Sequence, residues 1–245
     1  MYLSVVIPAF NEEKRLPETL KKVKAYLEKQ SYDWEILIVN DGSKDETATV
    51  VSGLIKNWQA RPERSRGGFR LIDNKINRGK GAVVKQGMLQ AKGDWRLYMD
   101  ADNSTDLSEI EKLWPHIKNY EIIAGSRYLK KDSIKIKQPL LRRIVSRVGN
   151  ILIRVLLGIH SVDTQCGFKL FSAKATEEIF PLQIMERWGA EMEVWAIAIK
   201  KGYKVKEVAV DWYDAAGSKV RKSAALQTLK ELIIIKWNLI KGKYS

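Results

Sequence analysis

The chain has 245 residues, 45% of them hydrophobic, enough for one sizeable core with at most a small appendage. Its formal net charge of +14 calls for an anionic partner: nucleic acid, an acidic membrane surface or a phosphorylated substrate. The single Cys166 excludes an internal disulfide and suits a reducing compartment. Met1-Tyr2-Leu3-Ser4 lacks the basic preface of a signal peptide, and no apolar run approaches the ~20 residues that span a bilayer, so a soluble or membrane-surface protein is expected.

Ser4-Val5-Val6-Ile7-Pro8 reads as a strand covered on both faces, because it is apolar throughout rather than alternating. Pro8-Ala9-Phe10-Asn11-Glu12-Glu13 ends it. A polar helix from about Pro17 to Gln30 and a second apolar strand, Trp34 to Asn40, follow, closing on Asp41-Gly42-Ser43. Strand, helix, strand, with turn residues at each strand's carboxyl end, calls for a right-handed crossover and a parallel sheet. Lys44 to Trp58 is the next helix, and Ala60 to Gly68 a surface loop rich in Gly and Arg. A third strand, Phe69 to Ile72, precedes Asn77-Arg78-Gly79-Lys80-Gly81, which opens a helix running to about Lys92. Two glycines around a lysine at a helix start form a candidate phosphate cradle, a plain helix-entry turn being the alternative. The pattern is not a Walker loop, which needs an upstream glycine and a Ser or Thr after the lysine.

Asp94 to Asp102 reads as the fourth strand with an acidic tip. Strand side chains alternate, so Asp100 and Asp102 point the same way if the strand continues, and two like charges side by side repel unless a cation lies between them. Mg2+ or Mn2+, which take oxygen ligands and keep waters and substrate phosphates in their shell, would suit that seat; a solvated turn is the bland alternative. A fifth strand, Tyr120 to Ala124, ends in Gly125-Ser126-Arg127-Tyr128. Asp41, Asp100, Asp102 and Arg127 thus gather at strand carboxyl ends, where open parallel sheets bind ligands. No Gly-x-Gly-x-x-Gly follows the first strand, which favours one nucleotide over a dinucleotide.

Lys130 to Gly158 changes character. At 100° per residue, Leu141, Ile144, Val145, Val148, Ile151, Leu152, Val155 and Leu156 share one broad face, with Arg143, Arg147 and Arg154 opposite and Arg142, Ser146 and Asn150 as a polar stripe between. Such a helix either packs on the core or lies at an anionic bilayer, the latter favoured by Lys130, Lys131, Lys135 and Lys137 just upstream. A second candidate closes the chain, with Leu226, Leu229, Ile233 and Trp237 on one face among Lys230, Lys236, Lys241 and Lys243. Between them lie Asp163 to Lys169, Glu186-Arg187-Trp188 before Ala190 to Glu193, and a last strand, Lys204 to Tyr213. Glu191 and Glu193 read equally well as surface charges, His116 and His160 have no metal-spaced companions, and Cys166 reads as a small core residue.

The motifs PAFNEE, VNDGSKDET, NRGKG, MDADNST, AGSRY and DTQCGFKLF together resemble, over nearly the whole chain, inverting family 2 glycosyltransferases of the GT-A fold, within them the polyprenyl (dolichyl) phosphate sugar transferases. DTQCGFK, ERW and the late GSK are similar to the β-glucosyl branch, whereas the mannosyl branch usually carries DADLQH where this chain has Asp100 to Thr105. The resemblance implies one α/β catalytic domain over 1–245, a mostly parallel sheet with helices on both faces plus amphipathic interfacial helices, about 1–128 serving the nucleotide sugar and 129–245 the acceptor and membrane. It implies that Pro8, Phe10, Glu12 and Asp41 hold the base and ribose, that Lys80, Asp100 and Asp102 serve the diphosphate, the two carboxylates through Mg2+ or Mn2+, and that Arg127 and Arg142 clamp the acceptor phosphate. Asp163 would orient the sugar or act as base. Hexose transfer from a nucleotide sugar, UDP-glucose ahead of GDP-mannose, to a polyprenyl phosphate is then expected, on the cytoplasmic face of a membrane, with room for a separate membrane protein partner. Transfer to a saccharide by a soluble enzyme is the rival. Nucleic-acid binding is suggested by charge alone, and no common module's motif accompanies it.

Overall fold

The computed structural model describes residues 2–60, 67–130, 133, 140–213 and 224–244, excepting the side chains of 140–148 and 224–226. Strands β1 (Tyr2–Ala9), β2 (Asp33–Asp41), β3 (Gly67–Asn74), β4 (Trp95–Met99), β5 (Ile122–Ser126), β6 (Phe168–Ser172) and β7 (Val205–Ala209) make one sheet in the order β3-β2-β1-β4-β6-β5-β7. β1, β2, β3 and β4 are parallel, β5 pairs parallel with β7, and β6 runs antiparallel to both neighbours. The helices are α1 (Leu16–Leu27), α2 (Thr47–Gln59), α3 (Lys80–Gln90), α4 (Leu140–Leu157), α5 (Ala173–Ile179), α6 (Ala190–Lys200) and α7 (Ala224–Ile240). They cover both faces: α1 and α2 enclose one apolar cluster with Leu3, Val5, Ile36 and Ile38, while α3, α5, α6 and α7 enclose the other with Val6, Leu37 and Tyr98. Burial on both faces is why β1 and β2 carry continuous apolar runs.

Several boundaries differ from the sequence expectation. β4 stops at Met99, so the alternation argument does not place Asp100 and Asp102 on one face; a turn with Asn103 at φ +54° does the placing instead. Gly67 and Gly68 belong to β3 rather than to the loop before it, because Gly67 lies on the Trp34 indole, where a Cβ would come within 2.2 Å of the ring. β6 has no counterpart in the expected strands. Its five residues are all buried, but Lys169 interrupts the apolar run and hides its period.

The amphipathic helices are present with their expected faces turned outward. On α4, Ile151, Leu152 and Val155 are exposed, while Ile153 and Leu157 are buried. On α7, Leu229, Ile233, Trp237 and Ile240 are exposed, 61% for Ile233, while the buried side carries Leu232 and Ile235 together with Glu231 and Asn238. The two helices pack on each other, and no helix among the described residues is long and apolar enough to cross a membrane. Leu141, Ile144, Val145, Val148 and Leu226 lie outside the described side chains.

Candidate active site

Two loops form a floor at the carboxyl ends of β1 and β2. The Asn11 amide donates to Ser43 Oγ at 2.9 Å, the Lys44 amide to Asn11 Oδ1 at 2.8 Å, and the Glu12 amide to Thr47 Oγ1 at 2.7 Å. Asn11 holds φ +55°, a region that asparagine tolerates better than most residues. Pro8 is buried at the end of β1 and Phe10 is half-buried beside it. Glu12, 8% exposed, takes Arg15 bidentately at 2.7 and 2.6 Å. That bond, with the Asp102 and Asp100 charges nearby, raises the Arg15 pKa above its usual value. Asp41 is 2% exposed and spent on the neighbouring loop: Oδ1 accepts from the Arg78 amide at 2.8 Å, Oδ2 from the Gly79 amide and Asn77 Nδ2, both at 2.9 Å. Burial raises its pKa and those amides oppose the rise. Asp41 thus fixes the entry of α3 to the carboxyl end of β2.

At that entry Gly79 adopts φ +114°, and the Lys80 ammonium swings to β4, 2.7 Å from Asp100 Oδ1 and 3.1 Å from Glu191 Oε1. The Asp100 amide donates to the Gly167 carbonyl at 3.2 Å, and a Cβ at Gly167 would stand 2.2 Å from Asp100 Oδ2, so only glycine lets that loop lie against the carboxylate. Desolvation and the Asp102 charge raise the Asp100 pKa; Lys80 works against them. Asp102, half-buried, accepts from the Ser104 amide at 3.0 Å. Glu191 and Glu193 are not surface charges: they are 8% and 0% exposed. Glu191 Oε2 takes Lys169 Nζ at 2.5 Å and the Tyr98 hydroxyl, and despite burial its two lysines hold its pKa down to about 2. Glu193 accepts the Ile184 and Met185 amides and the Tyr244 hydroxyl.

Arg127, at the end of β5, gives Nε–H to Asp163 Oδ2 at 2.7 Å and Nη2–H to Oδ1 at 2.8 Å, and its amide also reaches Oδ2 at 3.0 Å. Trp212 and Tyr128 flank the guanidinium at 5.5 and 5.4 Å. Asp163 is 1% exposed, its pKa lowered because Arg127 outweighs the cost of burial. Glu207 of β7 braces the same loop, accepting from Ser161 Oγ and from the Val162 and Asp163 amides at 2.8 to 2.9 Å. Asp163 therefore lines the Arg127 fork, and with the Gln165 amide on Oδ1 its lone pairs are committed. Arg142 lies on α4 within 140–148, outside the described side chains; from Asn150 onward the helix is tied to this loop by Asn150 Nδ2 on the Val162 carbonyl. Burial pushes the Cys166 thiol up to about 12, the behaviour of a core residue.

The structure thus gathers Lys80, Asp100 and Asp102 with Arg15 and Glu191, and ties them to the Arg127–Asp163 pair through the 163–167 loop. Arg15, Glu191, Lys169 and Glu207 escaped the sequence reading. A charged residue inside an apolar strand or helix was the available signal for the last three.

Comparison with known proteins places this geometry. The glycosyl transferase family 2 model matches residues 4–180. A dolichyl-phosphate β-glucosyltransferase of Trichomonas vaginalis is 38% identical over 96% of this chain and 73% of its own length, and that of Saccharomyces cerevisiae 34% identical over 100% and 77%. Among solved structures, glucosyl-3-phosphoglycerate synthase of Mycobacterium tuberculosis with Mn2+, UDP-glucose and phosphoglyceric acid superposes with a TM-score of 0.68 at 16% identity, covering 96% of this chain and 80% of that one. The sheet order, the carboxylate turn after β4 and a family match across most of the chain agree: this protein belongs to glycosyl transferase family 2, a glycosyltransferase with the GT-A fold.

Proposed function

We propose that the protein transfers glucose from UDP-glucose to a polyprenyl phosphate of the dolichyl type, with inversion, on the cytoplasmic face of a membrane. The observation that carries this reading is that one loop joins the Arg127–Asp163 pair to the Asp100 turn: the 163–167 segment pins Arg127 through Asp163 and lies on Asp100 through Gly167. A donor diphosphate at the Asp100 turn and an acceptor phosphate at Arg127 would meet across it. The relatives' names supply the sugar and the lipid.

Asp100 and Asp102 fit a divalent ion. Their charges act on each other and both are hard oxygen donors, a pair that would suit Mg2+ or Mn2+ with phosphate oxygens and water in the rest of the shell. When bound, such an ion would neutralise the leaving diphosphate. The chain's own residues do the rest. The floor of Pro8, Phe10 and the 43–47 turn receives the nucleoside. Lys80 and Arg15 add positive charge beside the diphosphate, and Arg127, its fork held in place by Asp163, directs its positive charge at the acceptor phosphate. The acceptor is already an anion, so its oxygen attacks the anomeric carbon without a strong base, which fits an Asp163 with no lone pair to spare. Alignment of two anions that repel by about 4 kcal/mol per pair of unit charges at 4 Å is the main burden. In-line attack converts an α-linked donor into a β-linked lipid phosphate sugar. The outward apolar faces of α4 and α7 bring the enzyme to the bilayer that holds the acceptor.

Incubation of the enzyme with radiolabelled UDP-glucose or GDP-mannose, Mn2+ and polyprenyl phosphate in detergent tests the reading. Label entering the organic phase from UDP-glucose alone is expected. Label from GDP-mannose instead would reassign the sugar, and label from neither, with UDP-glucose still bound, would point to a saccharide acceptor. Asp102→Ala is expected to lower turnover by more than about 10²-fold with only a small fall in melting temperature, since it removes a charge and one hydrogen bond to the Ser104 amide from a turn and opens no core cavity.

A further inference from the structure

Lys80 stands where the charge of an incoming cation would act. Its ammonium shares Asp100 and Glu191, at 2.7 and 3.1 Å, and neither partner is free to leave. Glu191 is held from the other side by Lys169, whose side chain is 1% exposed and whose ammonium also reaches the Cys166 carbonyl at 2.6 Å. Asp100 is pinned by Gly167. The Lys80 backbone has no slack either. A Cβ at Gly79 would meet the Glu186 carbonyl oxygen at 2.6 Å, one at Gly81 would meet Ala190 Cβ at 2.3 Å, and the Ala82 amide donates to the Glu186 carbonyl at 3.0 Å. With the main chain fixed, the ammonium changes partner only by rotating its own side chain.

We propose that Lys80 is a stand-in cation on Asp100, parked between Asp100 and Glu191, which a divalent ion must displace, so that metal and nucleoside diphosphate bind as coupled ligands. This rests on the reading of Asp100 and Asp102 as metal ligands. An ammonium already on Asp100 opposes a second cation at the same carboxylate by like-charge repulsion. A diphosphate arriving at the start of α3 offers the ammonium a new anionic partner and draws it off Asp100. The metal then meets a free carboxylate. Each ligand raises the other's affinity by the same factor, as linkage requires. Glu191 is a positioning residue here: it keeps the ammonium close by when Asp100 gives it up. A lysine that only cradled phosphate would leave metal binding in the absence of nucleotide untouched, so the two roles differ in sign at one measurable quantity.

That quantity is the Mn2+ dissociation constant of the protein without and with UDP, read from the free-ion signal in electron paramagnetic resonance. Wild type is expected to bind Mn2+ weakly alone and more tightly with UDP, by on the order of tenfold. Lys80→Met is expected to bind Mn2+ alone on the order of tenfold tighter than wild type and to lose most of the UDP effect. Adding Asp100→Asn to it should abolish the gain. Glu191→Gln, which leaves Asp100 as the ammonium's sole carboxylate, should weaken Mn2+ binding alone. A gain in affinity is not an outcome that structural damage produces, and melting temperatures check the fold of each variant. Lys80→Met binding Mn2+ alone no tighter than wild type, or Glu191→Gln binding it more tightly, overturns the proposal. If instead wild type binds no Mn2+ even with UDP, the metal reading of Asp100 and Asp102 falls, and this proposal with it; Mn2+·UDP binding that depends on Asp102 keeps that reading apart from the Lys80 result.

Discussion

Asp163 shows how the surroundings of a candidate residue narrow the roles that its sequence leaves open. The resemblance leaves it to orient the sugar or act as base, and here it is 1% exposed with both oxygens taken by Arg127. Removing it leaves a guanidinium with 17% of its side chain exposed and its ion-pair partner among the described residues gone, so Asp163→Ala should cost about 3–5 kcal/mol of stability, measured by urea unfolding at pH 7. The same pair sets a pH dependence. The folded carboxyl titrates below the unfolded value near pH 3.9, so its contribution is complete above that pH and is lost as pH falls through the folded value. Wild-type urea midpoints should drop below about pH 4, and those of Asp163→Asn should be flatter there. A base without a structural partner would show neither effect. Sequence found Asp163 and Arg127 separately; their bond, 36 positions apart, is a product of β5 and the 161–163 loop meeting.

Among elements, α3 is the one on which the site depends most. Its glycines have three different tasks: Gly79 supplies φ +114°, Gly81 admits the 185–190 segment, and Gly87 lets the helix approach Val6 and Val39 on the sheet, where a Cβ would stand 2.4 Å from Val6 Cγ1. Gly81→Ala places its methyl 2.3 Å from Ala190 Cβ and 2.9 Å from the Glu186 and Met185 backbone. Overpacking against main chain costs about 1–3 kcal/mol, so a melting temperature lower by several degrees is expected, with a larger proportional loss of activity because Lys80 is the adjacent residue. An unchanged melting temperature would mean that the 185–190 segment yields, and with it the account of Lys80 as rigidly based. The glycine pattern around Lys80 was legible as a helix start. What it was for depended on a segment more than a hundred residues later.

At the scale of the whole molecule, α4 and α7 pack on each other and both present apolar surface outward. Among the described residues, seven large hydrophobic side chains stand exposed on α4 and α7, while α7 turns Glu231 and Asn238 inward, Glu231 accepting the Gly189 amide at 2.6 Å. An ordinary surface helix does the reverse. Lysines flank the outward face, including Lys241, whose ammonium lies 4.9 Å from the Trp237 ring, so an anionic bilayer meets both of its preferences. Ile233→Ser with Trp237→Ser should therefore weaken sedimentation with vesicles containing phosphatidylserine by more than about tenfold, each apolar side chain being worth about 1.5–3 kcal/mol when buried, with little change in melting temperature. Equal binding by the double variant would remove α7 from the membrane contact.

The sequence by itself determined the class of the protein. Continuous apolar strands and turn residues at their carboxyl ends are local features, read from neighbours along the chain, and they sufficed for a mostly parallel α/β sheet; the motifs from PAFNEE to DTQCGFKLF, by resemblance, sufficed for family 2 and singled out Lys80, Asp100, Asp102, Arg127 and Asp163 as candidates. The apolar faces of α4 and α7 were equally plain, because a helical period is a local property too. Only the tertiary structure decided which way those faces turn, that β6 enters antiparallel, and that Glu191 and Lys169 are buried partners and Glu207 a half-buried brace. The physical reason is the same in each case: a charge can be buried only against a counter-charge or donor, and here those partners, Lys80 for Glu191 and the 161–163 loop for Glu207, lie tens of residues or more away along the chain.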